Sequence, residues 1–177
     1  MAEDPTLDTA ARVRGDSLGW EVLLVRYAGG CPVKPGEVVG DEDVPGDALG
    51  PVADVKRALS AALPDLEWGY PDRGGVRRGG LRFDFNVHLY PECPDVLLSV
   101  QGQGDPLPVV VQVCRSNGWV AVDLTTWRVL DLDDPSRDGW LRVKDAIHRN
   151  RGKQPPWKDQ EPAGPAGGKR TNGRWED

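Results

Sequence analysis

Nine consecutive positions, Leu81-Arg82-Phe83-Asp84-Phe85-Asn86-Val87-His88-Leu89, alternate apolar and polar side chains without a break. A side-chain period of two fits a β-strand with one sealed face and one wet face; on a helix it would scatter the apolar residues around the axis. The chain must therefore build a sheet and supply something to cover one side of it. Leu81, Phe83, Phe85, Val87 and Leu89 are expected on the covered side, and Arg82, Asp84, Asn86 and His88 on the other.

The remaining elements are read around this strand. Residues 20–27 are rich in β-branched and aromatic side chains and apolar on both faces, as in an interior strand, and Gly29-Gly30 ends the run. Residues 95–101 follow the alternating strand closely enough to pair antiparallel with it, turning Val96, Leu98 and Val100 inward. Pro51 suits a first helical position, and Val52, Val55, Leu59 and Leu63 then recur at helical spacing until Pro64. Asp105 and Pro106 open a second helix over residues 106–116, closed by Asn117-Gly118. The Val109-Val110-Val111 run has strand propensity, so a strand there stays open. Residues 119–123 read as a strand and 128–132 as a short returning edge. Asp134-Pro135-Ser136 then starts a last helix that docks by Trp140, with Val143 and Ile147 on the same side. Residues 66–71 read as a lead-in to a glycine- and arginine-rich turn at 73–80.

The order strand, helix, strand, strand, helix, strand is a split β-α-β arrangement, in which two right-handed crossovers place both helices on one face of an antiparallel sheet. The expected class is α+β, a ferredoxin-like plait with an extra C-terminal hairpin and helix. Its core should contain Val55, Leu59, Phe83, Phe85, Val87, Leu98 and Val100. Residues 18–150 make one domain, preceded by a polar lead-in over 1–17 expected to be flexible. Residues 151–177 hold four prolines and five glycines but only Trp157 and Trp175 as large apolar side chains, so a disordered tail is expected.

Charge narrows the partners. The formal net charge of -6 is uneven: residues 1–141 carry 13 Lys/Arg against 23 Asp/Glu, and residues 142–177 carry nine against five. An acidic body repels polyphosphate and attracts basic protein surface, so a basic protein partner is expected and nucleic acid is not. Cys31, Cys93 and Cys114 are odd in number and widely spaced, with only His88 and His148 to join them. That pattern indicates neither a disulfide framework nor zinc, and no metal or cofactor is expected. No apolar run approaches the ~20 residues of a membrane helix, and Met1-Ala2-Glu3-Asp4 is acidic where a secretion signal is basic, so a cytoplasmic protein without a membrane partner is expected.

Two surfaces present themselves for contact. The wet side of the sheet should show Arg82, Asp84, Asn86 and His88 beside Ser99 and Gln101, with Trp119 and Asp123 near them. The long loop between Cys31 and Gly50 carries Asp41, Glu42, Asp43 and Asp47 among glycines and prolines, an acidic patch without the spacing of an EF-hand. Each has a plain competitor, since antiparallel sheets routinely leave one face solvated and long loops are routinely wet.

Enzymatic alternatives are thinner. Asp84 and His88 sit four residues apart on one strand face, roughly 13 Å by strand rise, too far to form a dyad. Cys93 could approach His88 across the bend as nucleophile and base of a small hydrolase, but no third group is evident to orient them. Phe83 and Phe85 resemble the stacking aromatics of an RNA-binding strand, yet the alternation buries both and the acidic body opposes RNA. Gly102-Gln103-Gly104-Asp105 before a helix is a weak anion signal, adequately explained as a turn.

Four stretches carry a family resemblance: residues 61–68 (Ala-Ala-Leu-Pro-Asp-Leu-Glu-Trp), Phe83-Asp84-Phe85-Asn86, Gly102-Gln103-Gly104-Asp105-Pro106, and Gly118-Trp119-Val120-Ala121-Val122-Asp123. Over roughly residues 20–132 the chain resembles a diffuse group of small uncharacterised bacterial proteins, some of the kind found as immunity proteins beside polymorphic toxins. The resemblance implies a stand-alone bacterial domain and brings no catalytic residue with it. Taken together, the expectation is a noncatalytic protein-binding factor, of immunity or antitoxin type, that neutralises a basic partner through the acidic loop and the open sheet face.

Overall fold

The computed structural model of the protein describes residues 19–40 and 46–151; the expected lead-in, the tail and the acidic residues Asp41, Glu42 and Asp43 lie outside the described residues. In chain order the elements are β1 (Trp20–Val25), β2 (Gly50–Pro51), α1 (Val52–Ala62), β3 (Glu67–Tyr70), β4 (Arg73–Arg78), β5 (Leu81–Val87), β6 (Glu92–Cys93), β7 (Val96–Gly102), α2 (Leu107–Asn117), β8 (Val120–Asp123), β9 (Arg128–Val129) and α3 (Asp138–Arg151). Seven strands form one sheet in the order β3-β4-β5-β7-β1-β8-β9, with every neighbouring pair antiparallel, while β2 and β6 pair separately. Over the described residues the fold is thus mixed α/β, with an antiparallel sheet and three helices.

Period-two alternation decides the packing. Leu81, Phe83, Phe85 and Val87 of β5 join Val96, Leu98 and Val100 of β7 and Trp20, Val22 and Leu24 of β1 in a single buried cluster. Val55 and Leu59 of α1 and Val110, Val113 and Cys114 of α2 close it from above. Each fully buried Val, Leu or Phe contributes about 1.5–3 kcal/mol, so the whole helix layer is held by this one sheet face. All seven residues expected in the core are there. Leu89 is not: β5 ends at Val87, the chain turns away to form β6 beside β2, and Leu89 is left exposed. The alternation simply outlasts the strand by two residues.

Residues 107–117 are helical despite their valine run. Asp105 Oδ1 accepts the Leu107 amide at 3.2 Å, Gly118 terminates the helix in the left-handed region at φ 65°, and Val109, Val110 and Val113 fall on the buried side. Burial of three valines outweighs the few tenths of a kcal/mol that each β-branched residue loses in a helix. α3 docks as expected by Trp140, whose indole lies 6.3 Å from that of Trp20 and donates to Gly104 O at 3.1 Å. Beneath it lies the buried carboxylate of Asp123, which accepts Trp20 Nε1 at 3.0 Å and the Thr125 amide at 2.8 Å.

Two expectations need correction. Residues 67–78 are not a lead-in and a turn but two further strands, β3 and β4, which widen the sheet beyond β5. The glycines obscured them. Gly74 is in the strand because a Cβ there would stand 3.0 Å from Trp68 Cε3 and 3.2 Å from Leu66 Cδ1, so the Trp68 ring occupies the place of its side chain. Gly79 and Gly80, at φ 56° and 79°, make the two-residue hairpin turn into β5.

The second correction concerns the outer sheet face, which is open over only one half. At the β1-β8-β9 end, residues 36–39 pair antiparallel along the free edge of β9, bridging Val38 to Arg128, and the side chains of Cys31, Val33 and Val39 turn over the face. Gly36 N donates to Val129 O at 2.8 Å, Val129 N to Glu37 O at 3.2 Å, and Val39 N to Trp127 O at 2.7 Å. Val39 is buried there with Val25, Val122 and Val129, and Leu23, Cys31 and Val33 pack against them. The first part of the long loop is therefore a lid on a second, smaller core.

Candidate interaction surface

What stays uncovered is the half of the outer face built by β3, β4, β5 and β7. Strand register sets its side chains in three cross-strand rows. Tyr70, Arg73 and Asn86 form the first, Glu67, Gly75, Asp84 and Ser99 the second, and Arg77, Arg82 and Gln101 the third. Two shallow hollows follow this relief. One of about 540 Å³ is lined by Glu67, Tyr70, Arg73, Gly75, Arg77 and Asp84 among others. The other, about 240 Å³, lies over Arg73, Arg82, Asp84, Asn86, Ser99 and Gln101.

The charges on this face are partly internally satisfied. Arg82 Nε lies 2.8 Å from Asp84 Oδ2, and its Nη2 donates to Oδ1 at 2.9 Å. Arg73 Nε donates to the neutral amide oxygen of Asn86 at 2.9 Å, and Asn86 Nδ2 to Leu97 O at 3.3 Å. Among the described residues Arg77 has neither a hydrogen bond nor an ion pair. Arg78, one residue on, faces the helix side and donates to both Asp65, Nε to Oδ2 at 3.0 Å, and Gln112. The hydrogen bond from Arg78 holds the Asp65 carboxyl below its usual range, and the same bond raises the guanidinium.

Arg82, Asp84, Asn86 and Gln101 thus lie together as the alternation required, with Ser99 between them. Four other expected contacts do not join them. Trp119 is 5% exposed and belongs to the main core, and Asp123 is buried on the same helix side, against Trp20. Parity kept the two on one face, but the Trp20 indole and the Thr125 amide give Asp123 its donors inside, so that face is the sealed one. His88 lies beyond the end of β5, stacked on Tyr90 at 5.9 Å, with Nε2 3.1 Å from Asp95 Oδ1. That approach lacks the direction of a hydrogen bond, leaving Asp95 Oδ1 without one. Asp47 is spent locally: its carboxylate accepts the Ala28 amide at 2.6 Å and its own amide donates to Arg26 O at 2.7 Å.

The proposed thiol and imidazole are not brought into a reactive pair. Cys93 is buried, its Sγ donates to Asp95 O at 2.9 Å, and burial pushes the thiol up, opposite to what a nucleophile needs. Phe83 and Phe85 are both fully buried under the helices and unavailable for base stacking. Among the described residues no group of three or more His, Cys, Asp or Glu could hold a metal ion, and no helix is long and apolar enough to cross a membrane.

Reading residues 66–71 as a lead-in and 73–80 as a turn hid Tyr70, Arg73, Gly75 and Arg77. Gly79-Gly80 is a two-residue hairpin signal, but Arg73-Gly74-Gly75-Val76-Arg77-Arg78 before it has no apolar-polar alternation to mark a strand. Comparison of the chain with protein-family models, curated proteins and solved structures gives no match.

Proposed function

We propose that the protein is a noncatalytic protein-binding factor, of the immunity or antitoxin type, whose contact surface is the uncovered half of its sheet. The observation that carries this reading is the asymmetry of the outer face. Where outward side chains are apolar the chain covers them with its own residues 33–39; where they are charged and polar they stand free in a broad, shallow relief. Shallow, polar surfaces with an exposed tyrosine suit protein partners better than small molecules, which favour deep apolar clefts. A buried thiol that donates to the Asp95 carbonyl, with its pKa raised by burial, supports a binding role over a hydrolytic one.

On fold, we read β5-β7-β1-β8, with α1 and α2 as crossovers, as a ferredoxin-like plait extended by β3 and β4 on one side and by β9 and α3 on the other. The strand order supports this. The acidic-patch route to a basic partner now rests on Asp41, Glu42 and Asp43, because Asp47 is engaged with its own backbone neighbours. The reading is tested by placing a photoreactive amino acid at Asn86 or Ser99, and at Glu37 in the covered half as control. One discrete heterologous adduct from the two face positions and none from the control is expected. Adducts distributed equally over all three, or none at all, would end the proposal.

A further inference from the structure

Along β4 the uncovered face presents a charge order. Arg73 and Arg77 stand two alternate positions apart on the same side, with Gly75 between them. Neither guanidinium has a carboxylate partner among the described residues, in contrast to Arg82, which is held by Asp84, and Arg78, held by Asp65. At Gly75 the order inverts, because its cross-strand neighbours are Glu67 on one side and Asp84 on the other. Asp84 is held by Arg82, so Glu67, unpaired among the described residues, carries the negative charge at the centre, and the order along the strand is positive, negative, positive.

Gly75 also leaves a gap that the fold does not require. A Cβ there would meet Asp84 Oδ1 at 3.4 Å and Phe83 O at 3.8 Å, both ordinary contacts. One position earlier, at Gly74, a Cβ would collide with the Trp68 ring. Packing explains the first glycine of the pair and not the second. What the second does is keep open the 540 Å³ hollow, which Asp65, Glu67 and Asp84 line together with Arg73, Arg77 and Arg82, with Tyr70 67% exposed beside it.

Resting on the same reading of this face, we propose that the partner protein lays an extended segment along β4 whose alternate side chains run acid, base, acid. Its carboxylates meet Arg73 and Arg77, and its Lys or Arg drops into the hollow over Gly75 between Glu67 and Asp84. Alternate side chains of an extended segment lie about 6.6 Å apart, the same spacing as Arg73, Gly75 and Arg77, so the two patterns stay in step. Charge order of this kind selects a partner more than it tightens binding, which is what a factor that must recognise one protein needs.

The test uses the full-length protein labelled with nitrogen-15 and two capped heptapeptides, Ser-Glu-Ser-Lys-Ser-Glu-Ser and its charge reverse, Ser-Lys-Ser-Glu-Ser-Lys-Ser. The first should shift the amide resonances of β3, β4 and β5 and bind more tightly than the second by about twofold to fivefold for each charge pair. Arg77→Ala should remove one such factor. Gly75→Thr should abolish the preference without lowering the melting temperature, since its Cβ meets only ordinary contacts and a β-branched residue suits a strand. Equal shifts from both peptides, no shift from either, or shifts at β3–β5 from a single-stranded oligonucleotide but not from the first peptide would each overturn the proposal. If the photo-crosslinks at Asn86 and Ser99 form nevertheless, only the charge order falls; if they too are absent, the contact surface itself is wrong.

Discussion

The two halves of the outer sheet face are made by the same antiparallel ladder and have opposite fates. Over β1, β8 and β9 the outward residues beyond Glu21, which stands beside Ser99, are Leu23, Val25, Val122 and Val129, and residues 33–39 pack against them. Over β3, β4, β5 and β7 the outward residues include Arg73, Arg77, Arg82, Asp84, Asn86, Ser99 and Gln101, with the half-buried Leu97 at the boundary beside Leu23. Nothing among the described residues covers the polar set. Water solvates a guanidinium or an amide well and an isopropyl group badly, so only the first half gains free energy from a lid. The lesson is that cover follows side-chain chemistry and not strand position.

That contrast can be broken most directly at the lid. Val39→Asp would bury a carboxylate among Val25, Val122 and Val129 and should cost about 3–5 kcal/mol, lowering the thermal midpoint and speeding modification of Cys31 beside it. An unchanged midpoint would mean that the lid is not part of the folded core. Next comes the helix-side core shared by both halves. Burial pushes the Cys114 thiol up from 9.0 to about 12, so the unfolded chain loses this proton first as the pH rises. Its contribution is complete below 9.0 and is lost toward about 12, at roughly 1.4 kcal/mol per pH unit. Alkaline denaturation curves of the wild type and Cys114→Ala should be separated by a constant offset below that window, the cost of the emptied core space, and the separation should change only across it.

Smaller effects sharpen the other side of the comparison. Gly74→Ala should cost about 1–3 kcal/mol, because the Trp68 ring must move to admit the methyl group, while Gly75→Ala costs nearly nothing. Urea titration of the pair separates a packing glycine from a hollow-forming one. Smallest of all, Gln101→Thr on the uncovered half should change stability by less than about 0.5 kcal/mol. A large loss there would show that this half, too, supports the fold.

Legibility in the sequence tracked how local each feature is. Phe83, Phe85, Val87, Leu98 and Val100 were assignable because alternation is read within a single strand. So were the ends of α1 and α2, since Pro51, Pro64, Asp105 and Gly118 act on their immediate neighbours. On the candidate face, Arg82, Asp84, Asn86 and Gln101 followed from the same parity. Arg73 and Arg77 were missed because the Trp68 ring that makes Gly74 a strand residue sits on another strand. Trp119 was misplaced because parity says which residues share a face and not which face is sealed.

The chain's own letters thus determined an antiparallel sheet, its inward residues, its helices and the polar set on β5, all from periods of two and 3.6 and from residues that start or stop elements. Only the tertiary structure decided that β3 and β4 widen the sheet, that residues 33–39 roof one half of it, and that Asp123 goes inside with Trp20. Those outcomes depend on contacts between residues far apart in sequence. Their energies come from burial and donor pairing that no local pattern encodes.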